Sequence, residues 1–149
     1  MRIIYFWTVF NKLKFLLFWR RGMYEKKLMI ELVEFYFEKI DSFDIPGVLS
    51  CLTEDCEIQV VTSSLIHKGR DKEIKTMLER RKVSTEKAWH GNFKHLVDTE
   101  KGWVTSRFDI KRTSAEGHYR EMDNINFFVF SSLKIKKISI WMSGENSLP

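Results

Sequence analysis

Residues 103–130 read WVTSRFDIKRTSAEGHYREMDNINFFVF. Two long runs of strand-forming texture, 103–113 and 118–130, flank a turn-like break from Ala115 to Gly117. The pattern continues on both sides. Residues 87–97 precede it across a break at Asp98 to Gly102, and 135–142 follow across Ser131 to Lys134. Connections this short favour an antiparallel meander.

Upstream of residue 85 the texture is helical. Leu28, Leu32, Phe35, Tyr36 and Ile40 recur at helical spacing and predict an amphipathic helix over 24–41. Asp44 suits an N-cap, and Pro46 fits the first turn of a short second helix that faces Val48, Leu49 and Leu52 inward. Cys56 to Thr62 alternates and is rich in Ile and Val, which predicts a short strand. Gly69-Arg70-Asp71 opens a third helix with Ile74, Met77 and Leu78 on its apolar side. Helices first and a long sheet afterwards give the α+β class. The expected architecture is a cone-shaped, curved antiparallel sheet with three N-terminal helices packed on its concave face. A strongly curved sheet half covered in this way leaves a hollow suited to a small molecule.

The chain has 149 residues, enough for one domain with its own core. At 44% hydrophobic and 30% charged, with seven Gly and two Pro, it is neither collagen-like nor disordered. The net charge of +5 is concentrated at one end. Residues 1–22 hold Arg2, Lys12, Lys14, Arg20 and Arg21 and no acid, and removing those five leaves 20 basic against 20 acidic residues. The rest is formally neutral, so no basic stripe for nucleic acid can be read. Lys12 and Lys14 split the apolar part of the leader, which is then too short to span a bilayer, and no small-residue cleavage site follows it. Two readings of 1–22 stand: a basic aromatic segment lying on a membrane surface, or an extension upstream of a start at Met23. The second is favoured, because the polar positions do not collect on one helical face. The organisation read from the sequence is therefore a leader at 1–22, one domain at 23–146 and a tail at 147–149. Cys51 and Cys56 lack metal spacing and read as reduced thiols of a cytoplasmic protein, with membrane association only through the leader.

Three strings carry a family resemblance. They are Phe35-Tyr36 with Asp44-Ile45-Pro46-Gly47-Val48-Leu49, then Lys68-Gly69-Arg70-Asp71, and the run Met122 to Phe130 continued by Ile135 to Asn146. Together they resemble the nuclear transport factor 2-like superfamily, in particular its SnoaL-like and ketosteroid-isomerase-like branch, over roughly residues 24–146. One such fold hosts many activities.

Ketosteroid isomerases use a tyrosine and a protonated aspartic acid as oxyanion donors and a separate aspartate as base. By resemblance the tyrosine falls on Tyr36, which equally reads as a core-facing aromatic, and the oxyanion acid on Asn126, an amide that donates without titrating. The base position falls in Gln59-Val60-Val61, where no carboxylate stands. That argues against authentic steroid isomerisation, because a positioned base contributes roughly 10²–10⁴-fold. A different pair, His90 with Asp123, resembles the His/Asp chemistry of some family dehydratases and cyclases. The same two residues also fit a structural hydrogen bond or a solvated face. His95 takes the opposite parity to His90 on a regular strand, so no two-histidine metal site is expected. Trp89, Phe128 and Trp141 are candidate pocket-lining residues, while Arg107, Asp109 and Lys111 read as a polar stripe.

The expected catalytic set is therefore His90, Asp123, Tyr36 and Asn126, with no metal and no cofactor. Three function classes compete: an isomerase, dehydratase or cyclase acting on a small hydrophobic molecule, a non-catalytic ligand-binding or dimerisation module, and an interaction protein whose hollow is filled by its own aromatics. The first expects those four residues to converge on one pocket, and a ligand site expects a closed cavity of several hundred cubic ångströms. Ile125 and Phe127 against Met122 and Phe128 make the sheet apolar at both parities, which predicts a homodimer through its outer face.

Overall fold

The computed structural model describes residues 25–83 and 86–144. The readings of a leader at 1–22, of a start at Met23 and of a tail at 147–149 lie outside those residues. Helix α1 covers 25–41 and ends in a turn where Phe43 has a φ of 54°. Helix α2, Ile45–Ser50, begins as the sequence predicts: Asp44 accepts a hydrogen bond from the Gly47 backbone N–H, and proline stands in the first turn.

Strands β1 (Leu52–Val60) and β2 (Leu65–Lys68) come next. A kinked turn at Gly69–Ile74, with a non-helical backbone at Lys72, then leads into helix α3, Lys75–Val83, with Ile74, Met77 and Leu78 buried as expected. Gly69 has a φ of +83°, a conformation that the absence of a Cβ makes cheap. Four long strands complete the chain: β3 (Lys87–Asp98), β4 (Trp103–Thr113), β5 (Tyr119–Ser131) and β6 (Lys134–Trp141).

The six strands form one curved, unclosed sheet in the order β2-β1-β6-β5-β4-β3, so β3 is an outer edge. The helices pack on one face. On β4 that face carries Val104, Ser106, Phe108, Ile110 and Arg112, all buried, while Trp103, Arg107 and Lys111 point the other way. Phe108, Phe128, Ile58 and Ile138 are among the largest fully buried side chains of the core.

Three details differ from the sequence expectation. The sheet is antiparallel except where β1 runs parallel to β6, because β1 returns beside the last strand rather than extending the meander. β1 also starts at Leu52, earlier than the expected Cys56. Its first residues include the exposed Glu54 and Asp55, in an irregular stretch between Leu52 and Glu57, so they lack the alternation that marks a strand. The third difference lies in β3. Its register with β4 shifts between Gly91 and Lys94, and Asn92, with a φ of 55°, bonds Asp109 through its side-chain amide at 2.7 Å.

That bulge resets the alternation, so His90, Phe93 and His95 all face inward. The sequence expectation that His95 opposes His90 fails for this reason. A β-branched residue at Asn92 would meet the left-handed backbone at a cost of about 1–2 kcal/mol. Asn92→Val should therefore lower the free energy of urea unfolding by about that amount, whereas Asn92→Gly should stay near the parent. Equal stabilities for the Val and Gly variants would mean that the bulge is not formed.

Candidate functional site

Helix α1 presents Glu34, Phe37 and Asp41 along one face, three and four residues apart, as one helical stripe requires. β3 presents His95, Phe93 and His90, and the two triplets meet residue for residue. Glu34 contacts His95 Nε2 at 3.2 Å, Phe37 lies 5.3 Å from Phe93 between ring centroids, and Asp41 holds His90. Phe37 also stacks on the His90 imidazole at 4.8 Å.

The Asp41 contact has two prongs. One oxygen accepts the His90 backbone N–H at 2.8 Å, and the other lies 2.5 Å from His90 Nδ1. A carboxylate only accepts, so Nδ1 carries the proton and Nε2 is left as the basic nitrogen. The His90 side chain is only 5% exposed. Burial lowers its pKa below the usual value, against the opposing pull of Asp41. The imidazole is thus neutral at neutral pH.

His90 lines a cavity of about 40 Å³ between the helices and the inner sheet face, together with Tyr36 and Asn126. One water needs roughly 10–15 Å³ on such a measure, so the space takes a group of a few atoms. It is far narrower than the several hundred cubic ångströms that the sequence reading expected. Phe108 and Ile58 line its apolar part, and Arg81 and Arg112 add two guanidiniums. Burial raises the Tyr36 pKa well above the ordinary phenol value, so its hydroxyl remains a proton donor throughout the working range. On the far side of His90 and Phe37, an open cleft of about 470 Å³ is bordered by Glu38, Asp41 and Trp89.

Three of the four expected catalytic residues, His90, Tyr36 and Asn126, therefore share one wall, and Asp123 does not. Asp123 is exposed on the outer face, where Arg107 holds it in a forked ion pair that lowers its pKa. The cause is strand parity: Asp123 stands opposite Asp109, while the inward positions of β5 are Asn124, Asn126 and Phe128. The expected His90–Asp123 pair is replaced by His90–Asp41.

The pocket-lining expectations divide in the same way. Phe128 is fully buried, 6.2 Å from Tyr36 between ring centroids, and packs behind the cavity wall. Trp141 is 42% exposed on the outer face beside Ile125. Trp89, also on that face, lays its indole across Gly91, where a Cβ would come within 2.1 Å of the ring. Arg107, Asp109 and Lys111 form the expected outer polar stripe, meeting Asp123, Asn92 and Glu121. Sequence reasoning missed Asp41 and Arg112. The alternation from Val104 through Phe108 and Ile110 does place Arg112 inward, so its signal was present.

No family model and no curated protein matches the sequence. Solved structures do match. One is a provisionally assigned polyketide cyclase from Xanthomonas campestris pv. campestris, with a TM-score of 0.70 at 17% identity over 78% of this chain and 91% of that one. A second is an LEH-like epoxide hydrolase from M. tuberculosis, with a TM-score of 0.67 at 14% identity over 78% and 84%. A third is the epoxide hydrolase/cyclase-like enzyme SalBIII, with a TM-score of 0.64 at 15% identity over 79% and 92%. The chain shares the fold of these structures, as the resemblance to the nuclear transport factor 2-like superfamily led one to expect. At these identities the likeness is one of fold, with cyclase, hydrolase and ketosteroid-isomerase-like proteins among those that share it. Among the described residues, no helix is long and apolar enough to cross a membrane.

Because the folded pKa of His90 lies below its unfolded value of about 6.5, its contribution to stability is full above that pH. It is lost as the pH falls through 6.5 towards the depressed folded value. Melting temperatures from pH 7.5 down to 5 should fall more steeply for the parent than for His90→Gln. Parallel slopes would show that His90 titrates normally.

Proposed function

We propose that this domain is an acid–base enzyme of the isomerase, dehydratase or cyclase type, acting on a small, largely hydrophobic carbonyl compound. His90 transfers the proton, Asp41 orients it, and Tyr36 and Asn126 donate hydrogen bonds to the substrate oxygen. One observation carries this reading: the two-pronged Asp41 contact fixes the proton on Nδ1 and leaves a neutral basic nitrogen on a ring that lines the cavity. The structural neighbours named for cyclase and epoxide hydrolase chemistry support it.

In such a step His90 Nε2 takes a proton from the carbon next to the carbonyl, and the C–H electron pair moves into the carbonyl to give an enolate. The imidazolium that forms is held by Asp41. The Tyr36 hydroxyl and the Asn126 amide meet the developing charge on oxygen. Reprotonation at another carbon by the imidazolium gives isomerisation, and expulsion of a β-hydroxyl, which takes the imidazolium proton and leaves as water, gives dehydration. Deuterium exchange at the α-carbon of small ketones and keto acids, followed by NMR, reads the first half of this chemistry. His90→Gln and Asp41→Asn should each slow it at least about tenfold, towards the roughly 10²–10⁴ of a positioned base. Exchange equal to the parent's in both variants would overturn the acid–base reading.

A second reading, a non-catalytic ligand-binding module, is favoured by the cavity volume of about 40 Å³, which leaves little room for a reacting ring system. It predicts binding without exchange. For the quaternary state we propose a homodimer through the outer sheet face. Leu96, Trp103, Ile125 and Trp141 are exposed there at 77%, 38%, 42% and 42%. A second copy would cover that patch. Sedimentation equilibrium at tens of micromolar should give twice the chain mass, and Ile125→Lys should return the monomer. A monomeric parent would exclude the dimer.

A further inference from the structure

Arg112 is the least expected residue of the inner face. It stands at the end of the inward row on β4 and is only 3% exposed. A buried charge needs close partners, and Arg112 has fewer than its five donors require. Its Nη1 donates to Glu86 Oε2 at 3.1 Å, while its Nε–H is buried with no hydrogen-bond partner in the protein. Glu86 is shared, since Arg120 also reaches it at 3.5 Å.

The same wall carries Arg81 from α3. Burial, followed by repulsion from Arg81, holds the Arg112 guanidinium down to about 10. Glu86 offsets part of this positive charge through its ion pair with Arg112, and the Arg112 Nε–H is left as the unpartnered donor on the guanidinium. Asn126 Oδ1, buried on the same wall, is also without a partner and could accept from a ligand hydroxyl. His90 is held neutral beside Asp41, so it adds no charge of its own to this surface.

We propose that the cavity receives the ionised carboxylate of its ligand, held by Arg112 with Arg81 beside it, so that the substrate class is a small carboxylic acid rather than a neutral lipid-like molecule. This rests on reading the cavity as the site of the chemistry proposed above, and it narrows the choice of substrate. A carboxylate is only a few atoms, the size of group that about 40 Å³ accepts. Charge-assisted bonds to a guanidinium are also stronger than neutral ones, which gives the site a preference between two molecules of equal shape.

Butanoate and butanamide make the comparison direct, since they differ by one heavy atom and by charge. Titration calorimetry at constant ionic strength should show butanoate binding about tenfold or more tighter than butanamide. Arg112→Met should remove that preference, and Arg112→Lys should keep part of it. Equal affinity for the acid and the amide in the parent would overturn the proposal, and that comparison needs no variant to fold. A preference left intact in Arg112→Met would overturn it as well. Binding is read without turnover, so the outcome separates from that of the exchange experiment. A carboxylate preference with no effect of His90→Gln on exchange would retain the anion site and discard the acid–base step. Loss of exchange without a preference would do the reverse.

Discussion

The contact of Asp41 with His90 ties the first helix to the last-placed strand of the sheet. That tie seats α1 beside the cavity that His90 lines. One carboxylate at the end of α1 takes both the backbone and the ring of His90, and Phe37 slides between the His90 and Phe93 rings one turn earlier. Glu34 repeats the arrangement on His95, whose other ring nitrogen meets Ser106 at 2.8 Å. The helix is thus seated at three points, two polar and one aromatic. Its position sets how deep Tyr36 lies above Phe128 and how much space remains beneath it.

The seam requires His90, Phe93 and His95 to share a face, which a regular strand forbids. The extra residue at Asn92 supplies the half-step. A residue at positive φ on one edge strand therefore decides the geometry of a site on the inner face of the sheet. This explains why part of the site was not legible in the sequence. Parity arguments assume unbroken alternation, and the break is marked only by Gly91 and by an amide at Asn92 that tolerates positive φ, a local signal that does not say by how many residues the register moves.

The legible part was large wherever one rule sufficed. Helix spacing from Leu28 to Ile40, the cap at Asp44 and the four long strand runs each follow from one local pattern, and each is present. Where two chain segments had to meet, the sequence was silent. The parallel pairing of β1 with β6 and the choice of Asp41 over Asp123 are both tertiary facts. Asp123 lost that choice to β5 parity and to Arg107, which claims it outside. Tyr36 and Asn126 were reachable because the fold resemblance extends to the two elements that carry them. The wall they share is more cationic than a steroid-type pocket needs, and fold likeness alone does not reveal that property.

The position of β3 at the margin of the sheet gives the Asp41 carboxylate a second consequence. An outermost strand offers unpaired backbone groups to any other extended chain, and β3 is among the longest strands here. Asp41 occupies one of those groups, the His90 N–H, and α1 lies along the same border. The residue that orients the imidazole thus also closes a stretch of adhesive edge. Its loss would leave that stretch of β-margin open, so the covering of the edge and the orientation of the imidazole depend on one carboxylate.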